Sequence, residues 1–284
     1  MQVVRTIADC RAARSRLGRL ALVPTMGALH EGHLALMRHA SALAPHVAVS
    51  IFVNPTQFGP REDFTRYPRP IESDLEKCRE VGADLVFNPD ALEMYGPDAR
   101  PLVIDIPHLT EPLEGKHRPG HFRGVCQVVA KLFNIVQPAV AVFGLKDYQQ
   151  CCVIRAMTRM LDFPVEIAAH PTVREHDGLA MSSRNAYLSP DERRRALAIH
   201  RGLREAEQLV AQGVRQTSRL VATIQRIVMD PGDLGRVPVS IDYVAAVHPE
   251  TLLPVETVSG PTLLAVAARV GSTRLIDNAV VAPH

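Results

Sequence analysis

Two imidazoles three residues apart are the first chemistry the sequence offers. They are His30 and His33, at the end of the segment PTMGALHEGH that occupies positions 24–33. Residues at this spacing share a face once a helix has begun. Gly27 and Gly32 let the backbone approach a ligand closely. A helix N-terminus offers unpaired N–H groups to an anion, and two histidines added to it can donate to phosphate oxygens as charge develops. The same spacing suits a pair that only caps or packs, and on spacing alone the two readings are level. A zinc pair is weaker, because HxxH brings no third ligand nearby.

The chain holds four lysines against 28 arginines, and the last lysine is Lys146, in Gly144-Leu-Lys-Asp147. A lysine presents a compact point charge suited to phosphate, although a solvated loop lysine is the ordinary case. Met181-Ser-Ser-Arg-Asn185 supplies two hydroxyls and a guanidinium, which also fits phosphate contact. The segment from His117 to Gly124 reads as a basic, glycine-bearing loop leading into a helix. Gln57 and Gln150 are amides suited to the hydroxyl or carboxylate groups of a small organic acid. Asp74 and Asp147 are the carboxylates available to Mg2+, which prefers oxygen ligands shared with substrate phosphates. For Asp74, a solvated helix face is an equal reading.

These residues need elements to position them, and apolar periodicity supplies those. Short apolar runs at Leu20 to Val23, Val47 to Val53, Asp84 to Phe87, Ala139 to Phe143 and Val165 to Ala168 read as buried strands. Helical stretches fall between them, at Gly32 to Leu43, Ile71 to Val81, Val125 to Val136 and Tyr148 to Leu161. This alternation implies right-handed βαβ units and a parallel sheet, an α/β fold with helices on both faces. The unusual residues come just after strands, at Thr25 to His33, Asn54 to Gly59 and Gly144 to Gln150. Ligands of open parallel sheets bind outside the carboxyl ends of the strands, so the three segments are expected to line one cleft.

From residue 175 onward the pattern changes to a smaller α+β domain. Ser189-Pro-Asp-Glu192 is a capping-box helix start. Ala196, Ile199, Leu203, Ala206 and Val210 then repeat on one helical face, up to Gln212-Gly213. A second amphipathic helix is expected over about Ser218 to Met229, stopping at Asp230-Pro-Gly232. Val239, Ile241, Tyr243 and Ala245 alternate as a half-buried strand, with Leu263 to Val270 as its partner.

Composition narrows the function classes. The chain has 284 residues, 46% of them hydrophobic, and a net charge of +2. That excludes a disordered chain and argues against a dedicated nucleic-acid binder, which would show a basic surplus. The Arg193-Arg-Arg195 run lies inside a capped amphipathic helix, where a solvated face is the better reading than an RNA contact. No apolar run reaches the ~18 residues of a membrane span. Five cysteines without CxxC spacing read as reduced structural thiols in a cytoplasmic protein.

Taken together, PTMGALHEGH at 24–33, VNPTQFG at 53–59, RPGHFRGV at 118–125, GLKDYQQ at 144–150, MSSRN at 181–185 and TRLIDN at 273–278 resemble the pantoate–β-alanine ligase (pantothenate synthetase) family. That family lies in the nucleotidylyltransferase superfamily, which also includes class I aminoacyl-tRNA synthetases. Each segment alone is modest, but six in order span nearly the whole chain.

The resemblance implies a Rossmann-like domain over residues 1–174 that binds ATP and pantoate, and a C-terminal domain over 175–284 that acts as a lid and is associated with a homodimer. It implies a reaction in which ATP and (R)-pantoate form pantoyl adenylate and pyrophosphate, and β-alanine then displaces AMP. His30, His33 and Lys146 are implied as catalytic, with His33 as the proton donor. ATP-binding positions would be Met26, Gly27, Ala28, Leu29, His30, Glu31, Gly32, His33, Gly144, Leu145, Lys146, Asp147, Val173, Met181, Ser182, Ser183 and Arg184. Gln57 and Gln150 would hold pantoate, Arg118 would be a positive residue at the phosphates, and Asp74 would lie near Mg2+. Two departures stand out: Leu145 where many members carry Glu, and Ser73 before Asp74 where some carry a second Asp.

Overall fold

A computed structural model describes residues 1–60, 62–97, 102–230, 232 and 237–283. Its chain order begins β1 (Gln2–Val4), α1 (Ile7–Arg14), β2 (Leu20–Thr25), α2 (Glu31–Leu43), β3 (His46–Ile51), α3 (Ile71–Glu80) and β4 (Leu85–Phe87). Next come α4 (Ala91–Tyr95), α5 (Pro107–Thr110), α6 (Glu114–His117), α7 (His121–Val136), β5 (Val140–Gly144), α8 (Tyr148–Met160) and β6 (Glu166–His170). The remainder is α9 (Pro190–Ala211), α10 (Thr217–Met229), β7 (Val239–Val247), β8 (Thr262–Val270) and β9 (Thr273–Val281).

The chain divides into two compact units. The first comprises Met1–Thr110, Arg118–Leu145 and Gln150–Pro171; the second comprises Glu111–His117, Lys146–Gln149 and Thr172–His284.

In the first unit six parallel strands form one sheet in the order β1-β4-β3-β2-β5-β6. The period of two along the strands splits the core. Ala21, Val23, Val47, Val49, Val86, Val140 and Val142 face one way, where Met37 and Ala40 of α2 and Leu75 and Cys78 of α3 pack on them. Leu20, Leu22, Ala48, Leu85 and Phe87 are also buried, and alternation sends them to the opposite face, the side on which α1 and α7 pack. The expected α/β sheet with helices on both faces is therefore present. Strand order reverses between β2 and β5, the place where sheets of this type bind ligands.

Several boundaries differ from the sequence expectation for physical reasons. β2 runs on through Pro24 to Thr25, with pairing to β3 continuing while pairing to β5 stops at Leu22. A residue without an N–H is tolerated where one neighbour has already left. α7 starts at His121, so the expected loop is largely helix. Gly120, at φ 83°, takes the left-handed conformation that ends the preceding turn.

In the second unit α9 and α10 pack on an antiparallel sheet ordered β7-β8-β9. The capping box is formed, with Ser189 accepting from the Glu192 N–H and Glu192 accepting from the Ser189 N–H. Ala196, Ile199, Leu203, Ala206 and Val210 are all buried. Of the expected stop after α10, Pro231 lies outside the described residues. Among the described residues no helix is long and apolar enough to cross a membrane. All five cysteines are buried and none forms a disulfide, and burial pushes the Cys10 and Cys78 thiols up to about 11.

Candidate active site

In the first unit the segment after β2 turns sharply before α2 begins. Gly27 (φ 78°) and Ala28 (φ 50°) are both left-handed, a pairing that costs energy unless something holds it. Asp74, on the first turn of α3, does so. Its carboxylate accepts the N–H of Ala28 at 2.8 Å and of Leu29 at 2.7 Å. Lys77, one turn on, donates Nζ to the Leu29 carbonyl at 2.7 Å. A Cβ on Gly27 would sit 2.9 Å from Asp74 Oδ2, so the glycine is needed for the clamp as well as for the turn.

His30 is the N-cap residue of α2 and His33 lies three positions on, with ring centroids 4.1 Å apart. The His30 N–H donates to His33 Nδ1 at 3.3 Å. An accepting Nδ1 puts the proton of a neutral imidazole on Nε2, so His33 carries a donor at its far end. Glu31 is exposed and paired with Arg38.

Gln57 closes a short 3-10 turn, Pro55–Gln57, and reaches the same segment by donating Nε2 to Met26 Sδ at 3.2 Å. Asn54, 1% exposed, donates Nδ2 to Gln57 Oε1 and to the Gly124 carbonyl, and its oxygen accepts from Tyr95. A relay fixes the backbone of the turn: Glu62 takes the Arg118 fork at 2.9 and 2.7 Å, Arg118 donates to His121 Nε2, and His121 Nδ1 donates to the Gln57 carbonyl at 2.9 Å. Arg118, expected at the phosphates, thus has its fork on a carboxylate. Gln150 is half-buried in the first turn of α8.

In the second unit, Lys146 and Asp147 form a 3-10 turn directly after β5, with Lys146 Nζ 3.7 Å from Asp147 Oδ2. Val173 and Met181 pair at the base of a hairpin, the Met181 N–H donating to the Val173 carbonyl at 3.0 Å. Ser182, Ser183 and Arg184 follow at once, with Ser182 Oγ capping the Arg184 N–H. Glu175 and Asp177 hold Arg193 across the hairpin at 2.6 and 2.7 Å. Burial would raise both carboxyls, but the Arg193 bonds and charge outweigh it and hold them below their usual range.

A family model described as pantoate-beta-alanine ligase matches residues 2–280. This chain belongs to the pantoate–β-alanine ligase family. It is 52% identical to the pantothenate synthetase of Moorella thermoacetica over 285 residues, covering 99% of each chain. It is 50% identical to that of Geobacter sulfurreducens over 286 residues, again covering 99% of each. The crystal structure of pantothenate synthetase from Thermus thermophilus superposes with a TM-score of 0.92 at 47% identity over the full length of both chains. The Francisella tularensis pantoate-beta-alanine ligase, solved as a complex with beta-gamma ATP and beta-alanine, gives a TM-score of 0.81 at 31% identity, covering 99% of this chain and 97% of that one. Membership makes this chain a ligase that joins pantoate to β-alanine.

The acidic position that the family resemblance puts near Mg2+ does not fit a metal ligand here. Asp74 is 1% exposed and both its oxygens accept loop N–H groups. Burial pushes its carboxyl up, opposed by those two bonds and by Lys77. Among the described residues no cluster of three His, Cys, Asp or Glu side chains could hold a metal ion. Two residues given no role in the sequence analysis also matter: Asn54, inside the VNPTQFG segment, supports Gln57, and Glu62 supports Arg118. Asn54 had a local signal, since Asn-Pro starts a turn. Glu62 had none, because its partner is 56 residues away.

Proposed function

We propose that the chain condenses (R)-pantoate with β-alanine through pantoyl adenylate, releasing pyrophosphate and then AMP. The observation that carries the reading is the imidazole pair at the start of α2, beside the reversal of strand order, with His33 Nδ1 accepting the His30 N–H. In the first step a pantoate carboxylate oxygen bonds to the α-phosphorus and the bond to pyrophosphate breaks. Like charges oppose that approach, so preorganised donors carry the catalysis. His30 and His33 donate to the phosphates, with His33 Nε2–H the proton donor. Lys146, Ser182, Ser183 and Arg184 take the remaining phosphate charge. Gln57 and Gln150 hold pantoate. In the second step the β-alanine nitrogen bonds to the acyl carbon, AMP leaves, and one amine proton is released. Positioning dominates both steps.

The remaining ATP contacts are assigned to Met26 to Glu31, Gly32, Gly144, Leu145, Asp147, Val173 and Met181. The Francisella complex with beta-gamma ATP and beta-alanine supports ATP as substrate. Mg2+ is assigned to the ATP phosphates and water, not to Asp74. Arg118 is assigned to the Gln57 turn through His121, with phosphate contact requiring it to leave Glu62. A cytoplasmic homodimer is the assembly expected from the family.

The test is incubation with ATP, Mg2+, (R)-pantoate and β-alanine, omitting each in turn. Pyrophosphate exchange should need pantoate but not β-alanine, and AMP should need both. Transfer of AMP to a phosphate acceptor without β-alanine would make the chain a plain nucleotidylyltransferase and refute the reading.

A further inference from the structure

The motif TRLIDN at 273–278 has no part in the reaction proposed above, yet it occupies most of β9. Two consecutive side chains of that strand reach the two segments of the second unit assigned to phosphate. Asp277, 5% exposed, takes the Arg174 fork at 2.6 and 2.9 Å, and Arg174 also donates to the Gly178 carbonyl. The Val173–Met181 hairpin is thereby tied near its base and at its tip, and Ser182, Ser183 and Arg184 continue from it. Asn278, 9% exposed, donates Nδ2 to the Lys146 carbonyl at 2.9 Å, and its own N–H donates to Asp277 Oδ1 at 2.8 Å.

A third residue of the same strand reaches the start of α8, just beyond the lysine turn, through Glu114. Arg274 forks onto Glu114 at 2.6 and 2.8 Å, and Tyr243 donates to the same carboxylate at 2.9 Å. Gln149, three residues after Lys146, accepts the Glu114 N–H and donates to the Pro112 carbonyl. Arg274, Asp277 and Asn278 all project from one strand whose pairing with β8 is continuous from Thr273 to Val281. Few arrangements fix two loops against each other more firmly than a shared rigid strand.

We infer that β9 is the positioning element for the phosphate-directed residues of the second unit, with Asn278 setting Lys146 and Asp277 setting the Ser182–Arg184 segment. This rests on the phosphate role given to Lys146 above. The ammonium needs a fixed origin, and the carbonyl held by Asn278 belongs to the same residue.

The experiment uses the full chain and four variants, compared with Lys146→Ala alone: Asn278→Asp, which keeps the shape but turns an acceptor toward the Lys146 carbonyl, Asn278→Ala, and each of these combined with Lys146→Ala. The readouts are pantoate-dependent ATP–pyrophosphate exchange, the KM values for ATP and β-alanine, and the urea midpoint. Each Asn278 variant should lose about tenfold or more in exchange, the scale of a misplaced reacting group. The KM for β-alanine should stay within about twofold, and no further loss should appear once Lys146 is gone, the signature of coupled residues. Unchanged exchange in both variants, a full additional loss in the Lys146→Ala background, or collapse of the fold in both would each overturn the inference. Absence of pantoate-dependent exchange in the unaltered protein would instead strike the proposed reaction itself.

Discussion

Replacing Asp74 with Asn separates a clamp from a metal ligand. The carboxylate gives one oxygen to the Ala28 N–H and the other to the Leu29 N–H. An amide in the same place keeps one acceptor and turns an NH2 group toward the second N–H. A hydrogen bond to a charged group contributes about 1.5–3 kcal/mol. A neutral side chain also sheds the desolvation that pushes the Asp74 carboxyl up, so the net cost falls toward the lower end, about 1.5 kcal/mol. That loss falls on the ordering of Gly27 and Ala28 in their left-handed conformations. Since each 1.4 kcal/mol is tenfold in an equilibrium constant, the KM for ATP should rise about tenfold while the Mg2+ concentration for half-maximal rate stays where it was. Steady-state titration of ATP at saturating Mg2+, and of Mg2+ at saturating ATP, reads the two separately. A normal KM for ATP together with a Mg2+ requirement raised about tenfold would refute the clamp and restore Asp74 to the metal.

Other outcomes follow from the same geometry. His33→Ala and Lys146→Ala should each slow pantoate-dependent pyrophosphate release by about a hundredfold or more, the scale of losing one preorganised donor; pre-steady-state release with changes under about threefold in both would remove their roles. Gly124→Ala puts a Cβ 2.4 Å from the Thr56 carbonyl oxygen, forcing the Gln57 turn off α7. It should raise the KM for pantoate more than the KM for ATP, and equal changes in both would count against Gln57 as a pantoate ligand. Glu175 and Asp177 have folded-state pKa values held down against burial by Arg193. The stability they add is present above the ordinary carboxylate range and lost as pH falls through their depressed values. Arg193→Met should therefore flatten the acid side of a urea-midpoint profile below about pH 4, and an unaltered acid limb would dismiss the pair.

Local pattern made much of the architecture readable. Alternating apolar runs marked β2 to β6, because strands buried on both faces read as continuous hydrophobic stretches. The Ser189–Glu192 box marked α9 to the residue. β9 escaped notice because Arg274, Asp277 and Asn278 interrupt its apolar pattern, and they do so because they serve partners elsewhere. β1 is three residues long, too short for any period to register. Of the site, residue types were readable and pairings were not. Asp74 reaches Ala28 across 46 positions and Asn278 reaches Lys146 across 132, and no local spacing encodes a contact made by folding. The loop expected before α7 shows the converse error, since glycine and basic residues suggested irregular chain where Gly120 in fact launches a helix.

Arginine makes the structural forks in this protein, on Glu62, Asp277 and Glu114, and the sequence holds very few primary amines. Lys77 already gives its nitrogen to a carbonyl. Acylating reagents therefore face a short roster of targets, so mass spectrometry of a lightly modified sample, with and without nucleotide, can follow occupancy at position 146 peptide by peptide with little background from elsewhere.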